Sequence, residues 1–225
     1  MEAYKTIMGR IDVLINRGYQ LRISEYFSRA MVLVKNNLGL FATYTMIYLA
    51  FLFLVFRLGE VGSFIQLMLA GPISAGYYLS IHYMATGRNY SFESFFDGFK
   101  IYFPVMLAAL ATNFLISLGI MLFIVPGLVI ALFLVFVMPM VVFGKLELFQ
   151  AIKYSPMIVY KRFWEMSKLG LFILLINLAG IFTFGIGLLF TLPMSFAVIY
   201  FAYSDLLGTN ETEEDEPKTD FSHFR

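Results

Sequence analysis

Charged and apolar residues are segregated along this chain in long blocks. No Asp, Glu, Lys, Arg or His lies between Ile101 and Gly144, or between Leu169 and Ser204. A helical crossing of a bilayer's hydrocarbon core takes about 20 apolar residues. Each block therefore holds two crossings, and a Gly/Pro-rich or Gly-rich break falls near the middle of each. Two further apolar runs precede them. The pattern predicts an all-α, polytopic membrane bundle of six transmembrane helices, at 39–56, 63–85, 101–119, 124–143, 169–185 and 187–204. Each should be helical, because backbone polar groups find no water partner inside lipid.

Shorter amphipathic stretches precede the crossings, with apolar positions spaced i, i+3, i+4, i+7 on one face. Ile7, Ile11, Leu14 and Ile15 line one such face before Gly18. A shift of 65 residues lays Phe27, Ala30, Met31, Val34 and Lys35 onto Phe92, Phe95, Phe96, Phe99 and Lys100. A shift of 60 lays Leu115-Ile116-Ser117-Leu118 onto Leu175-Ile176-Asn177-Leu178, and Gly127 onto Gly187. In the third unit Leu148, Ile152, Ser155 and Val159 continue a helical face that Pro156 should kink. The chain reads as three pseudo-repeated hairpins, each led by an amphipathic interfacial pre-helix. Residues 1–37 form an amphipathic N-terminal arm, 38–205 the six-helix domain and 206–225 an acidic tail. Charges interrupt the arm repeatedly, which predicts no cleavable leader and a first helix kept as an anchor.

Charge sets the orientation. Fifteen of the sixteen Lys and Arg fall in the N-terminal arm, the connections after the second and fourth crossings, or the tail, and only Arg57 lies on the other side. The positive-inside rule places that face, and with an even number of crossings both termini, in the cytoplasm. Arg29, Lys35, Lys100, Lys161, Arg162 and Lys168 form a basic collar at the level of the pre-helices. Such a collar suits anionic lipid headgroups, and it equally suits elbow helices that fix hairpin tilt. The elbow role is the commoner one. Glu211, Glu213, Glu214, Asp215, Glu216 and Asp220 make the tail acidic, and it should be disordered. It suits folding back on the basic collar or recruiting a basic protein partner, with Phe221 and Phe224 as anchors, and a plain solvated tail is the commoner role.

Composition removes several function classes. The chain has no cysteine and only two histidines, His82 and His223, so neither a thiolate nor a histidine metal cage is expected. No cofactor-binding loop, nucleophile motif or pair of membrane carboxylates is present, and neither catalysis nor nucleic-acid binding is expected. His82 falls near the cytoplasmic end of the second crossing, where Tyr77, Tyr78 and Tyr83 suggest an interfacial belt. Asn113 and Asn177 are the polar residues deepest in the crossings, suited to inter-helix hydrogen bonds or to a solute path. Gly71, Pro72, Gly76, Pro126, Gly127, Pro139 and Pro193 are the candidate breaks and close-packing points. The small-residue pairs Gly76/Ser80 and Ala108/Thr112 leave open whether they pack within one chain or between copies. Ser91 is the expected N-cap of the second pre-helix, and Asp205 should pair with a collar cation.

Several strings resemble a set of uncharacterised bacterial six-helix membrane proteins: Gly71-Pro72-Ile73-Ser74-Ala75-Gly76-Tyr77-Tyr78, Phe92-Glu93-Ser94-Phe95-Phe96-Asp97-Gly98-Phe99, Pro126-Gly127, Ala151-Ile152-Lys153-Tyr154-Ser155 and Ala202-Tyr203-Ser204-Asp205-Leu206. They are similar to the membrane domain fused to some bacterial glycerophosphodiester phosphodiesterases, over roughly residues 25–207. The catalytic domain of those fusions has no counterpart here, so their activity does not carry over. The resemblance implies a bacterial inner-membrane protein. The expected function is a non-enzymatic module that binds membrane lipid or a partner protein. The alternative is a transporter of a neutral or amphipathic solute.

Overall fold

A computed structural model describes residues 2–209, which are helical almost throughout and contain no strand. Two helices, α1 (Glu2–Arg17) and α2 (Ile23–Asn36), precede the first hairpin, α3 (Leu38–Arg57) and α4 (Gly59–Ala85). A 3-10 helix, η1 (Phe92–Ile101), leads directly into α5 (Tyr102–Leu122), which returns as α6 (Ile124–Phe133) and α7 (Val137–Val142). The last unit is α8 (Leu148–Lys161), α9 (Phe163–Phe182) and α10 (Leu188–Leu207). Six segments are long and apolar enough to cross a membrane: α3, α4, η1–α5, α6–α7, α9 and α10. This is a multi-pass membrane protein.

The hairpins form a closed ring with a common packing rule. Each outgoing helix packs on the return helix of the preceding hairpin: α5 on α4, α9 on α6, and α3 on α10. The pre-helices obey the same rule, with η1 on α4, α8 on α7 and α2 on α10. The return segments consequently sit inside, with 39% to 50% of their apolar windows buried, against 17% to 22% for the outgoing ones. The three repeats expected from the shifts of 65 and 60 residues are thus a pseudo-threefold arrangement in space. Its clearest mark is a close approach seven residues wide at each outer turn. A Cβ on Gly62 would strike the Val55 carbonyl, one on Gly127 would meet Ile120, and one on Gly187 would come 2.7 Å from the Gly180 Cα. Val55, Ile120 and Gly180 stand at the same shifts as Gly62, Gly127 and Gly187. Lipid supplies no hydrophobic drive between helices, so such fitted contacts carry much of the association.

Proline positions follow from the missing N–H. Pro104, Pro126 and Pro139 each stand third in their helices, in the first turn, where no intrahelical donor is lost. Pro72, Pro156 and Pro193 lie inside α4, α8 and α10, and all three helices run through them. The expected interruption at Pro139 is corrected: the fourth crossing breaks one turn earlier, at residues 134–136. Pro139 has no N–H for the Val135 carbonyl, and its ring collides with a helical carbonyl four residues back. Ser155 of α8 repairs the gap, accepting from the Phe136 N–H (3.3 Å) and donating to the Phe133 carbonyl (2.7 Å).

The 1–37 arm folds as two helices, with Ile7, Ile11 and Leu14 buried on the side facing α8 and α10. Three further expectations change. The inner faces of the pre-helices meet protein instead of lipid; Tyr26, Ala30, Phe95, Ala151 and Ile158 are fully covered. Tyr77, Tyr78 and His82 are core residues between α4, α7 and α10, not an interfacial belt. The Tyr77 ring stacks on Phe196 at 4.5 Å, its hydroxyl pairs with Thr45 at 2.7 Å, and His82 Nδ1 pairs with the Tyr200 hydroxyl at 2.9 Å. The six-helix domain extends beyond 205, because Leu206 and Leu207 are buried in α10. The acidic run from Glu211 to Asp220, with Phe221 and Phe224, lies outside the described residues.

Two of the recurrent-looking strings dock on one another. Gly98 of η1 lies against the Pro72 carbonyl and the Gly76 N–H, and Gly76 lies against the Phe95 carbonyl. The expected α-helix over 92–100 winds as a 3-10 helix. Three residues per turn align Phe92, Phe95, Gly98 and Ile101 along the line that meets α4. Phe99, equated above with the buried Val34, is therefore exposed.

Candidate functional site

The end of the bundle that carries the pre-helices is the basic rim, and the cavities described here open on it. The larger, about 630 Å³, is a groove between α2, the end of α4, the 86–91 connection and α10. Its floor is apolar: Val32, Leu33, Met84, Ala85 and Phe201. Glu25, Ser28 and Arg29 stand at one end, and Asn36, Asn37 and Tyr90 at the other.

Local sequence fixes both walls. Past the end of α4 stands Gly87, whose φ of 69° lets the Arg88 N–H reach back to the Tyr83 carbonyl at 3.0 Å. Thr86 adds a hydroxyl bond to the His82 carbonyl at 2.8 Å. Tyr90 then donates to Asn37 Oδ1 at 2.8 Å, while the Asn37 amide donates to the Leu33 carbonyl at 2.9 Å. The connection is thereby tied to the α2–α3 junction.

At the opposite end an ion-pair chain holds α2 to α10. Asp205 takes the Arg22 guanidinium and the Tyr26 hydroxyl, the latter at 2.5 Å. Glu25 bridges Arg22 (3.0 Å) and Arg29 (2.9 Å), and Arg29 lies 5.9 Å over the Phe201 ring. Arg10 donates to the Leu207 carbonyl at 2.8 Å, so cations gather at the negative end of the α10 dipole. The hydrogen bond to Asp205 holds the Arg22 guanidinium above its ordinary range. Burial, with the Asp205 hydrogen bond second, pushes the Tyr26 phenol up, and burial pushes up Tyr19, which donates to the Ile158 carbonyl at 2.9 Å. The arrangement offers a guanidinium, a carboxylate and amides around an apolar floor: chemistry for binding an amphiphile.

The collar is half neutralised. Arg29 pairs with Glu25, Lys100 with Asp97 at 2.6 Å, and Arg162 with Glu165 at 3.3 Å. Lys35, Lys161 and Lys168 are exposed and make no ion pair among the described residues. Lys161 and Arg162 line a shallower depression of about 450 Å³ with Tyr160, Phe163, Trp164 and Glu165. The expected pairing of Asp205 with a cation is found, with Arg22 as partner. At Ser91 the backbone N–H donates to Ser94 Oγ at 3.1 Å, closing the start of η1.

The two intramembrane asparagines are not brought together. Asn177 ties α9 to α10, its amide donating to the Ile173 carbonyl at 2.8 Å and to Ser195 Oγ at 2.6 Å. Asn113 is exposed on α5 and makes no hydrogen bond among the described residues. Sequence reading singled out Arg29 but missed Glu25, Asn37, Met84, Tyr90 and Phe201, which meet only because α2 packs on α10. The polar Asn36-Asn37 pair between an amphipathic helix and an apolar one was the one local signal for the groove. No family model, curated protein or solved structure matches the chain.

Proposed function

We propose that this protein is a non-catalytic membrane module that holds a phospholipid at the basic rim. The single observation that carries the reading is the 630 Å³ groove, with its apolar floor and polar ends. One acyl chain lies along Val32, Leu33, Met84 and Phe201, and the headgroup phosphate meets Arg29, whose guanidinium is kept in place by Glu25 and the Phe201 ring. Arg suits phosphate because its planar fork makes paired hydrogen bonds. The positive-inside bias favours the cytoplasmic side for the rim. The likeness to the bacterial six-helix proteins favours an inner membrane.

The test is native mass spectrometry of the purified full chain with phosphatidylglycerol, phosphatidylethanolamine or inorganic phosphate added. One phospholipid should be retained per chain, lost in Arg29→Gln and kept in Lys168→Gln. Equal retention by all three proteins would contradict the proposal. So would displacement of the bound lipid by inorganic phosphate alone, which would identify a free-anion site.

A further inference from the structure

The end of the bundle opposite the rim is made differently in its three hairpins. The first turn carries Arg57 and Glu60. The second consists of Leu122, Phe123, Ile124 and Val125, all at least 69% exposed. The third presents Phe182, Phe184 and Ile186, and Phe184 is 99% exposed. A patch of this kind on a turn in water would be an aggregation liability.

Much of the backbone of these two turns is closed on itself, although the N–H groups of Ile124, Val125, Thr183 and Phe184 have no acceptor among the described residues. From Gly185 to Thr191 every N–H has an acceptor in the end of α9, the turn or the first turn of α10, including the Gly187 N–H to Thr183 Oγ1 at 2.9 Å. That hydroxyl in turn donates to the Gly180 carbonyl at 2.8 Å. In the second hairpin Phe123 alone separates α5 from α6. Its N–H donates to the Gly119 carbonyl, its carbonyl accepts from Gly127, and Pro126 removes one of the donors a helix start would otherwise leave open. The bonds that are made suit hydrocarbon, where no water reaches a loose group. In the third hairpin reach agrees: from Lys168, the last charge on α9, to Thr183 the helix rises only about 22 Å, against a hydrocarbon core of about 30 Å.

We propose that the tips of the second and third hairpins are immersed in the hydrocarbon of the far leaflet. Only the first turn, with Arg57 and Glu60, meets the far aqueous phase. The acyl chains of that leaflet are the partner of the apolar tip surface, and the protein offers water-borne ligands one face, the rim.

The native chain contains no cysteine, so single-cysteine variants report cleanly. Spin labels are placed at Glu60→Cys, Phe123→Cys and Phe184→Cys in the full chain reconstituted in bilayers. Collisional relaxation is then read with oxygen, which concentrates in lipid, and with a water-soluble nickel chelate. The labels at 123 and 184 should respond to oxygen and lose the nickel response, while the label at 60 responds to nickel. Nickel access at 123 and 184 equal to that at 60 overturns the proposal. A loss of both responses at 123 and 184 also overturns it, because protein and not lipid would then cover the tips.

Discussion

Replacing Gly98 by Ala tests the packing of η1 on α4 with a single methyl group. Its Cβ would collide with the Pro72 carbonyl, and would stand 2.8 Å from the Gly76 nitrogen and 3.1 Å from the Ala75 Cβ. Non-bonded carbon contacts are comfortable at about 3.5–4.0 Å, so η1 must withdraw by roughly 1 Å. A gap of that size forfeits about a quarter to a half of each affected dispersion contact. It falls beneath the Phe95 ring, which is fully buried against Phe41, Tyr44 and Tyr77. Overpacking usually costs about 1–3 kcal/mol. The neighbours here are mainly backbone, which cannot rotate aside, and the upper end, about 3 kcal/mol, applies. The same substitution at Gly9, inside α1 with nothing within 4 Å of its Cβ, should instead gain about 1 kcal/mol of helix propensity. Equilibrium unfolding of both variants in bicelles therefore separates two chemically identical changes by roughly 4 kcal/mol. Stabilities within about 0.5 kcal/mol of one another would refute the close docking of η1.

Ser155→Ala removes the hydroxyl that bonds the Phe133 carbonyl and the Phe136 N–H at the broken fourth crossing, and should cost about 1–3 kcal/mol in the same unfolding assay. Asn177→Leu loses the bond to Ser195 across α9 and α10; a destabilisation of about 0.6–1.7 kcal/mol is expected, with phospholipid retention unchanged in the mass spectrum. Tyr19 and Tyr26 keep their protons more firmly folded than unfolded, so their contribution is fully present below the unfolded value of about 10 and is lost as pH rises through the higher folded values. Thermal scans should show no loss from these two groups up to about pH 10 and a falling midpoint above it, with the fall reduced in Tyr19→Phe.

The bundle was legible because lipid imposes a strict rule: charge is excluded over the length of a crossing. The gaps at 101–144 and 169–204 marked four of the six crossings, and the spacing of Gly127 and Gly187 exposed the repeat. The equivalent Gly62 was there to be read at the same shift. What could not be read depended on partners distant in sequence. A tyrosine at a membrane interface and a tyrosine in a bundle core have the same amphipathic ring, so Tyr77 and Tyr78 gave no local sign of their burial. Helical spacing made 92–100 an α-helix, yet docking on Pro72 and Gly76 of α4 rewards a three-residue period. Pro139 marked the broken crossing, but the break sits at the carbonyl that its ring excludes. The groove joins Glu25 to Phe201 through the closure of the ring, which no single repeat contains. Half of the basic collar turned out to be balanced by carboxylates one helical turn away, a pairing visible in the sequence at Arg162 and Glu165.

Photo-crosslinking with a phospholipid whose acyl chain carries a diazirine tests the central claim most directly, because it distinguishes a held lipid from the surrounding ones. In bilayers containing a trace of the probe, adducts should concentrate on residues 32–37, 84–90 and 201, and Arg29→Gln should disperse them. Adducts spread evenly over the exposed faces of α3, α5 and α9 in both proteins would mean that lipid is only solvent, and the groove would lose its assigned occupant.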